Sequence, residues 1–189
     1  MLTYSDITTN EKNGPGIMLK YDGSRYDGYW ITNKENGKGR LININGDVYE
    51  GDWVEGNMHG KGECTYNDGT KYEGEWKDNN PEGEGVEETA NGGKYVGTFH
   101  NSKKNGKGKL TIPNGPEYTG EFKDNNFHGK GACKWDDGKY YEGQWENNQM
   151  QGSGRFEWPD GRVYTGDHYA NKKQGRGLFE WYCHNFEEY

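Results

Sequence analysis

A five-residue pattern, Tyr-x-Gly-x-aromatic, returns every 23 residues through this chain, with no insertion or deletion between copies. It starts at Tyr26, Tyr49, Tyr72, Tyr95, Tyr118 and Tyr141, and a seventh copy at Tyr164 puts His168 in the aromatic place. A fixed period of this length builds a repeat array, in which each unit packs on its sequence neighbours rather than into a shared core. Counting from the tyrosine as position 1, positions 3, 12, 14 and 21 are glycine in every complete repeat. The same frame run backward places Gly14, Gly16 and Gly23, so a degenerate first copy starts near Thr3. All seven tryptophans also fall in the frame, four at position 5 and three at position 18.

Composition agrees with a thin fold. Hydrophobic residues make up only 29% of the 189 residues and the net charge is −8, values that lean toward disorder. Aromatics at 15% and 32 glycines lean the other way. Both are met by an array with little interior. The acidic balance argues against nucleic acid, which calls for a basic patch. No apolar run reaches the roughly 18 residues of a membrane-spanning helix. Residues Met1 to Lys12 lack an apolar signal-peptide core. A cytoplasmic protein is expected. Cys64 and Cys133 share one repeat position three repeats apart, about 29 Å at two strand spacings per repeat, too far for a disulfide.

Positions 1 to 5 alternate with period 2 and read as a strand: Tyr72, Gly74 and Trp76 on one face, Glu73 and Glu75 on the other. A glycine between two aromatics leaves room for a large group, and a ring from a neighbouring strand is expected over it. Positions 14 to 18 read as a second strand. Asp-Gly or Asn-Gly before each new repeat predicts a tight hairpin turn, and positions 6 to 13 predict a longer polar loop. The expected fold is all-β with few or no helices. Stacked hairpin repeats of 23 residues form an elongated, twisted, single-layer antiparallel β-meander, an open trough-like sheet of about 15 or 16 strands. Residues 1–189 read as a single array: a degenerate N-terminal half-repeat or cap over 1–25, six full repeats over 26–163, and a last repeat with a C-terminal cap over 164–189. Thr3, Ser5 and Ile7 occupy strand-like positions, and residues 186–189 are placed to fold over the last strand.

Tyr-Glu-Gly-Glu-Trp, then His-Gly-Lys-Gly, then Asp-Gly resembles the MORN repeat (membrane occupation and recognition nexus). Tyr49 to Lys71 and Tyr118 to Tyr140 carry it most fully, with His59-Gly60-Lys61-Gly62 and His128-Gly129-Lys130-Gly131. The resemblance spans about residues 14 to 182. It implies stacked β-hairpins in a single sheet, and a place in cytoskeletal, ciliary or membrane-associated complexes. Departures concentrate in the repeat that begins at Tyr72. Glu87 and Thr89 stand there at positions that are apolar in most other repeats, and Glu84 stands where four other repeats have lysine.

No catalytic site, metal site or cofactor site emerges. Glu73 with Glu75 reads as a solvated strand face. His59 with Cys64, and His128 with Cys133, are by-products of the repeat and lack a third orienting residue. Two features remain. The first is the aromatic face, expected to hold a partner: Tyr49, Trp53, Tyr72, Trp76, Tyr95, Phe99, Tyr118, Phe122, Trp135, Tyr141, Trp145 and Trp158. The second is a row of cations expected along one loop edge: Lys38, Lys61, Lys103, Lys104, Lys107, Lys130, Lys172, Lys173 and Arg176. The leading reading is a non-enzymatic scaffold whose aromatic trough holds a peptide or helix of a protein partner in a cytoskeletal or ciliary assembly. The alternatives are an anionic lipid, such as a phosphoinositide, on the basic edge, and a regulatory module detached from an enzyme. The resemblance extends the lipid reading to junctophilins and plant phosphatidylinositol phosphate kinases.

Overall fold

A computed structural model describes residues 11–181. The strand-like readings of Thr3, Ser5 and Ile7, and the C-terminal cap, lie outside the described residues. All fifteen described elements are β-strands, ordered β1 to β15 without crossover in one antiparallel sheet, and no helix occurs among the described residues. The chain divides into two compact units, Met1–Lys103 and Lys104–Tyr189.

The first unit holds β1 (Gly14–Leu19), β2 (Arg25–Ile31), β3 (Lys34–Ile42), β4 (Val48–Val54), β5 (Asn57–Thr65), β6 (Lys71–Lys77), β7 (Asn80–Glu88) and β8 (Lys94–His100). At the boundary starts β9 (Lys103–Thr111). The second unit continues with β10 (Glu117–Lys123), β11 (Asn126–Lys134), β12 (Tyr140–Glu146), β13 (Gln149–Glu157), β14 (Val163–Tyr169) and β15 (Lys172–Glu180). Each repeat thus contributes a seven-residue strand and a nine-residue strand.

The two connections differ from expectation in opposite ways. Positions 6 to 13 are not a loop. A two-residue turn at positions 7 and 8 is followed at once by the longer strand. Asp78 and Asn79 in that turn have φ of 47° and 69°, the paired left-handed geometry of a type I′ hairpin. The position-12 glycine, taken from sequence as part of a loop, is a bulge residue inside the strand. Gly60 has φ of 63°, and the register shifts between Gly51 and Asp52 opposite it. At the Asp-Gly connection, Asp68 is not left-handed and only Gly69 is, with φ of 86°. The Gly69 N–H donates to the Tyr66 carbonyl at 2.9 Å, and the Tyr66 N–H donates to Thr70 at 2.8 Å, so this turn is the longer of the two.

The type I′ turns also join successive repeats. The Asn79 N–H donates to the Met58 carbonyl at 3.1 Å, and the Met58 N–H donates to Asn79 Oδ1 at 2.9 Å. Asn33, Asn125, Asn148 and Asn171 repeat the side-chain latch on Lys12, Lys104, Phe127 and Met150. Asparagine suits this place twice over, since it tolerates left-handed backbone and its side chain bonds a neighbouring main chain. Replacing Asn79 by alanine removes both properties, and we expect a loss of about 1–2 kcal/mol in urea unfolding. Asn79→Gly should lose less, because glycine keeps the backbone geometry.

Candidate functional site

The ring face is built around each position-1 tyrosine. The Tyr72 ring lies back over Gly74 of its own strand and Gly85 of the next. A Cβ on either glycine would meet the Tyr72 hydroxyl at 2.6 Å. The ring expected from a neighbouring strand therefore comes, for Gly74, from the same strand. The Tyr72 hydroxyl donates to the Glu75 carbonyl at 2.8 Å, beside the bulge. The Trp76 indole N–H donates to the Gly62 carbonyl at 3.0 Å, one repeat earlier. Trp76 meets Tyr72 and Tyr49 edge-on at centroid distances of 5.2 and 5.0 Å. Such pairs contribute about 0.5–1.5 kcal/mol each beyond area burial.

This ladder covers the rings expected to receive a partner. Tyr49, Trp53, Tyr72, Trp76, Tyr95, Phe99, Tyr118, Phe122, Tyr141 and Trp145 are each 5% exposed or less. Burial raises their phenols, with Tyr26 and Tyr141 pushed up to about 12. The two position-18 residues differ, being half-buried: Trp135 stacks on Phe156 and Trp158 on Phe179. His168 stands in the ladder where other repeats have Trp or Phe, 5.1 Å from Tyr141 and 5.3 Å from Tyr164. Burial holds its imidazole below the usual range, backbone polar groups of Gly166 and Gly152 and Asp167 act the other way, and Lys173 adds to the lowering. Both ring nitrogens are buried without a hydrogen bond.

The expected basic edge is distributed differently. Lys38, Lys61, Lys107, Lys130 and Arg176 lie on strands rather than loops, at position 13. There they face the position-4 residue of the next strand: Lys38 is opposite Asp52, Lys61 opposite Glu75, Lys107 opposite Glu121 and Lys130 opposite Gln144. Lys38 Nζ lies 2.6 Å from Asp52. Burial works against ionisation of Asp52, but Lys38 and the Lys61 N–H hold its carboxyl below the usual range. Lys103, Lys104, Lys172 and Lys173 start strands β9 and β15. Lys173 turns to the ring face, its Nζ 4.4 Å from the Trp158 ring. The structure therefore forms no single cationic rim from these residues.

The larger concavities are on the charged face, while the ring face has a pocket of about 130 Å³ beside Tyr49, Cys64, Tyr66 and Trp76. In the first unit positions 2 and 15 form one wall, running Asp27, Arg40, Glu50, Glu63, Glu73, Val86 and Val96 on consecutive strands. Lys38, Lys61, Glu75 and Glu84 stand on the other wall, and Gly39, Gly51, Gly62, Gly74 and Gly85 form the floor between. This groove holds about 940 Å³. Six carboxylates in its lining face three cations. The second unit has a counterpart of about 500 Å³ lined by Thr119, Lys130, Ala132, Glu142, Gln144 and Ser153, with one charge of each sign. Sequence reading took Glu73 and Glu75 as a solvated strand face and Lys38, Lys61 and Lys130 as part of a basic edge. The signal for a groove was the period-2 alternation, which sets positions 2 and 4 in two rows on this face with the backbone of position 3 between them.

The residues raised as nucleophile pairs are separated by the sheet. His59 is opposite Asp52 on the charged face, and Cys64 is opposite Tyr72 on the ring face. Burial pushes the Cys64 and Cys133 thiols up to about 11. Among the described residues no group of three or more His, Cys, Asp or Glu side chains is placed to hold a metal ion.

The MORN repeat family model matches six consecutive segments, residues 26–48, 49–71, 72–94, 95–116, 118–140 and 141–161. The chain belongs to the MORN-repeat family. Each MORN segment begins at the position-1 tyrosine, the second residue of a seven-residue strand, and runs through the tight turn, the nine-residue strand and the Asp-Gly or Asn-Gly connection. No curated protein matches the chain by sequence. Among solved structures, the Drosophila melanogaster SAS-4 (dCPAP) TCP domain, in complex with a proline-rich motif of Ana2 (dSTIL), is similar at 16% identity. That match covers 89% of this MORN chain and 97% of the other, with a TM-score of 0.45. The TCP10 domain of Danio rerio CPAP, in complex with a STIL peptide, is 17% identical over 90% of this chain and 87% of that one, with a TM-score of 0.29. Likeness at these scores carries no argument about this chain.

The lowered imidazole of His168 makes the last repeat acid-sensitive. A base depressed by folding stabilises above its unfolded value near 6.5 and loses that contribution as pH falls through the folded value. We expect protection factors of the β14 and β15 amides, taken relative to intrinsic exchange, to fall as pH drops below about 6.5. His168→Trp should abolish that loss of protection and raise the stability of the last repeat.

Proposed function

We propose that this chain is a non-enzymatic scaffold that holds a segment of a protein partner in the groove on its charged face. The observation that carries this reading is the groove itself. It is open, floored by glycine backbone and walled by side chains that the array's own packing does not use. Membership of a repeat family supports it, since stacked repeats offer extended binding surfaces. The closed ring ladder supports it as well, because it moves the candidate surface from the aromatic face to the opposite one. The interleaving of position-13 cations with position-4 carboxylates weakens the lipid reading, as an anionic surface attracts clustered cations. The role of a module detached from an enzyme gains no specific support from the geometry.

A photo-crosslinking residue at Val96, on the groove wall, should join a partner that copurifies with the full chain. The same residue at Tyr21, in the turn before β2, should not. Crosslinks obtained equally from Tyr21 and Val96, or only from Tyr21, would contradict a groove-held segment.

A further inference from the structure

The groove of the first unit has three chemical stretches, and their order specifies an occupant, given the scaffold role proposed above. Over β2 to β4 its charges answer one another. Lys38 lies 2.6 Å from Asp52, and Arg40 lies 3.9 Å from Glu50. Over β5 to β7 there is one cation for four carboxylates, Lys61 opposite Glu75. Glu63, Glu73, Glu75 and Glu84 line the groove, and among the described residues none has a cation within 4.0 Å. Glu50, Glu63 and Glu73 stand directly opposite one another on consecutive strands. Like charges in register are destabilising. The fold does not demand them, because position 15 is Ala132 and Arg155 in the second unit. Over β7 and β8 the same wall turns apolar, with Val86 opposite Val96 and Val96 45% exposed.

We propose that this groove takes an extended basic segment of a protein partner. Arginine or lysine side chains lie against Glu63 and Glu73 on one wall, polar side chains face Glu75 and Glu84 on the other, and an aliphatic side chain rests on Val86 and Val96. Width selects the conformation. The two walls stem from residues two apart on each strand, about 7 Å, whereas a helix with its side chains is about 10–12 Å across. Length sets the size. From β2 to β8 the groove crosses six strand spacings, about 29 Å, which about nine extended residues span. Alternate side chains of such a segment point to opposite walls, so cations at every second residue meet Glu63 and Glu73 while the intervening residues face Glu75 and Glu84. The glycine floor lets its main chain come close. The floor's own N–H and C=O groups are engaged in the strand ladders, so the side-chain walls supply the selectivity. An anionic headgroup meets the reverse of the charge it needs.

The test uses the full chain and a doubly charge-reversed variant, Glu73→Lys with Glu75→Lys. Both residues are exposed, so thermal unfolding should be unchanged. Two fluorescent peptides of about nine residues serve as probes, one alternating arginine and serine before a terminal valine, the other with glutamate for each arginine. The arginine peptide should bind the wild type, weaken with salt, and lose about tenfold or more on the double reversal. Equal binding of the glutamate peptide, or an arginine peptide indifferent to the reversal, overturns the basic-segment assignment. A photo-crosslink from Val96 to lipid when the peptide-free chain is mixed with phosphatidylinositol bisphosphate vesicles overturns it too. A randomised peptide library separates this failure from failure of the scaffold role. Selected peptides that lack basic residues but crosslink at Val96 overturn the charge assignment and leave the scaffold standing. A library that yields no groove-binding peptide overturns both.

Discussion

A tyrosine ring seated on two glycines sets the rest of this molecule. The position-1 ring fills the space over positions 3 and 14, and its hydroxyl takes the position-4 carbonyl beside the bulge. The position-5 indole closes the gap to the next tyrosine and bonds a position-14 carbonyl one repeat away. A sheet without a covering layer normally leaves one apolar face wet. Here each tyrosine lies over its glycines and the position-5 rings close against it edge-on, so Tyr26, Tyr49, Tyr72, Tyr95, Tyr118 and Tyr141 reach near-zero exposure without a second layer.

The same arrangement decides which face is free. Strand alternation that points the glycines at the tyrosine on one side leaves backbone between two rows of side chains on the other. Those rows carry no packing duty, and their chemistry varies from repeat to repeat. The first unit's lining is acidic with a valine pair at one end, and the second unit's is balanced and smaller. Packing and variable surface chemistry are thereby divided between faces. A substitution such as Glu84 for lysine changes the groove without touching the ladder.

Much of this was legible in the sequence. The unbroken 23-residue frame and the two-residue alternation of Tyr72-Glu73-Gly74-Glu75-Trp76 are enough to establish a meander and its two faces. The glycine at position 3 signalled a ring above it. The turns were harder, because Asp-Gly is a strong type I′ signal while turns such as Thr32-Asn33 and Asn147-Asn148 are not distinctive. A bulge at position 12 is also invisible without knowing that the strand continues through it. The interaction face was assigned to the rings because exposed aromatics mark binding surfaces, and sequence alone does not reveal that a ring lying flat on glycine is no longer exposed. Glu84, Glu87 and Thr89 did single out the Tyr72 repeat, and Glu84 lines the groove there.

A double-mutant cycle on Tyr72 and Gly85 tests the central claim most directly. The three atoms nearest the Cβ that Gly85→Ala would add all belong to the Tyr72 side chain, at 2.6 to 2.8 Å. With the ring in place, Gly85→Ala should cost about 1–3 kcal/mol in urea unfolding. In the Tyr72→Ala background that cost should nearly vanish, giving a coupling of about 1 kcal/mol or more. Costs that simply add, within about 0.5 kcal/mol, would contradict the account, because the glycine would then be needed for something other than the ring.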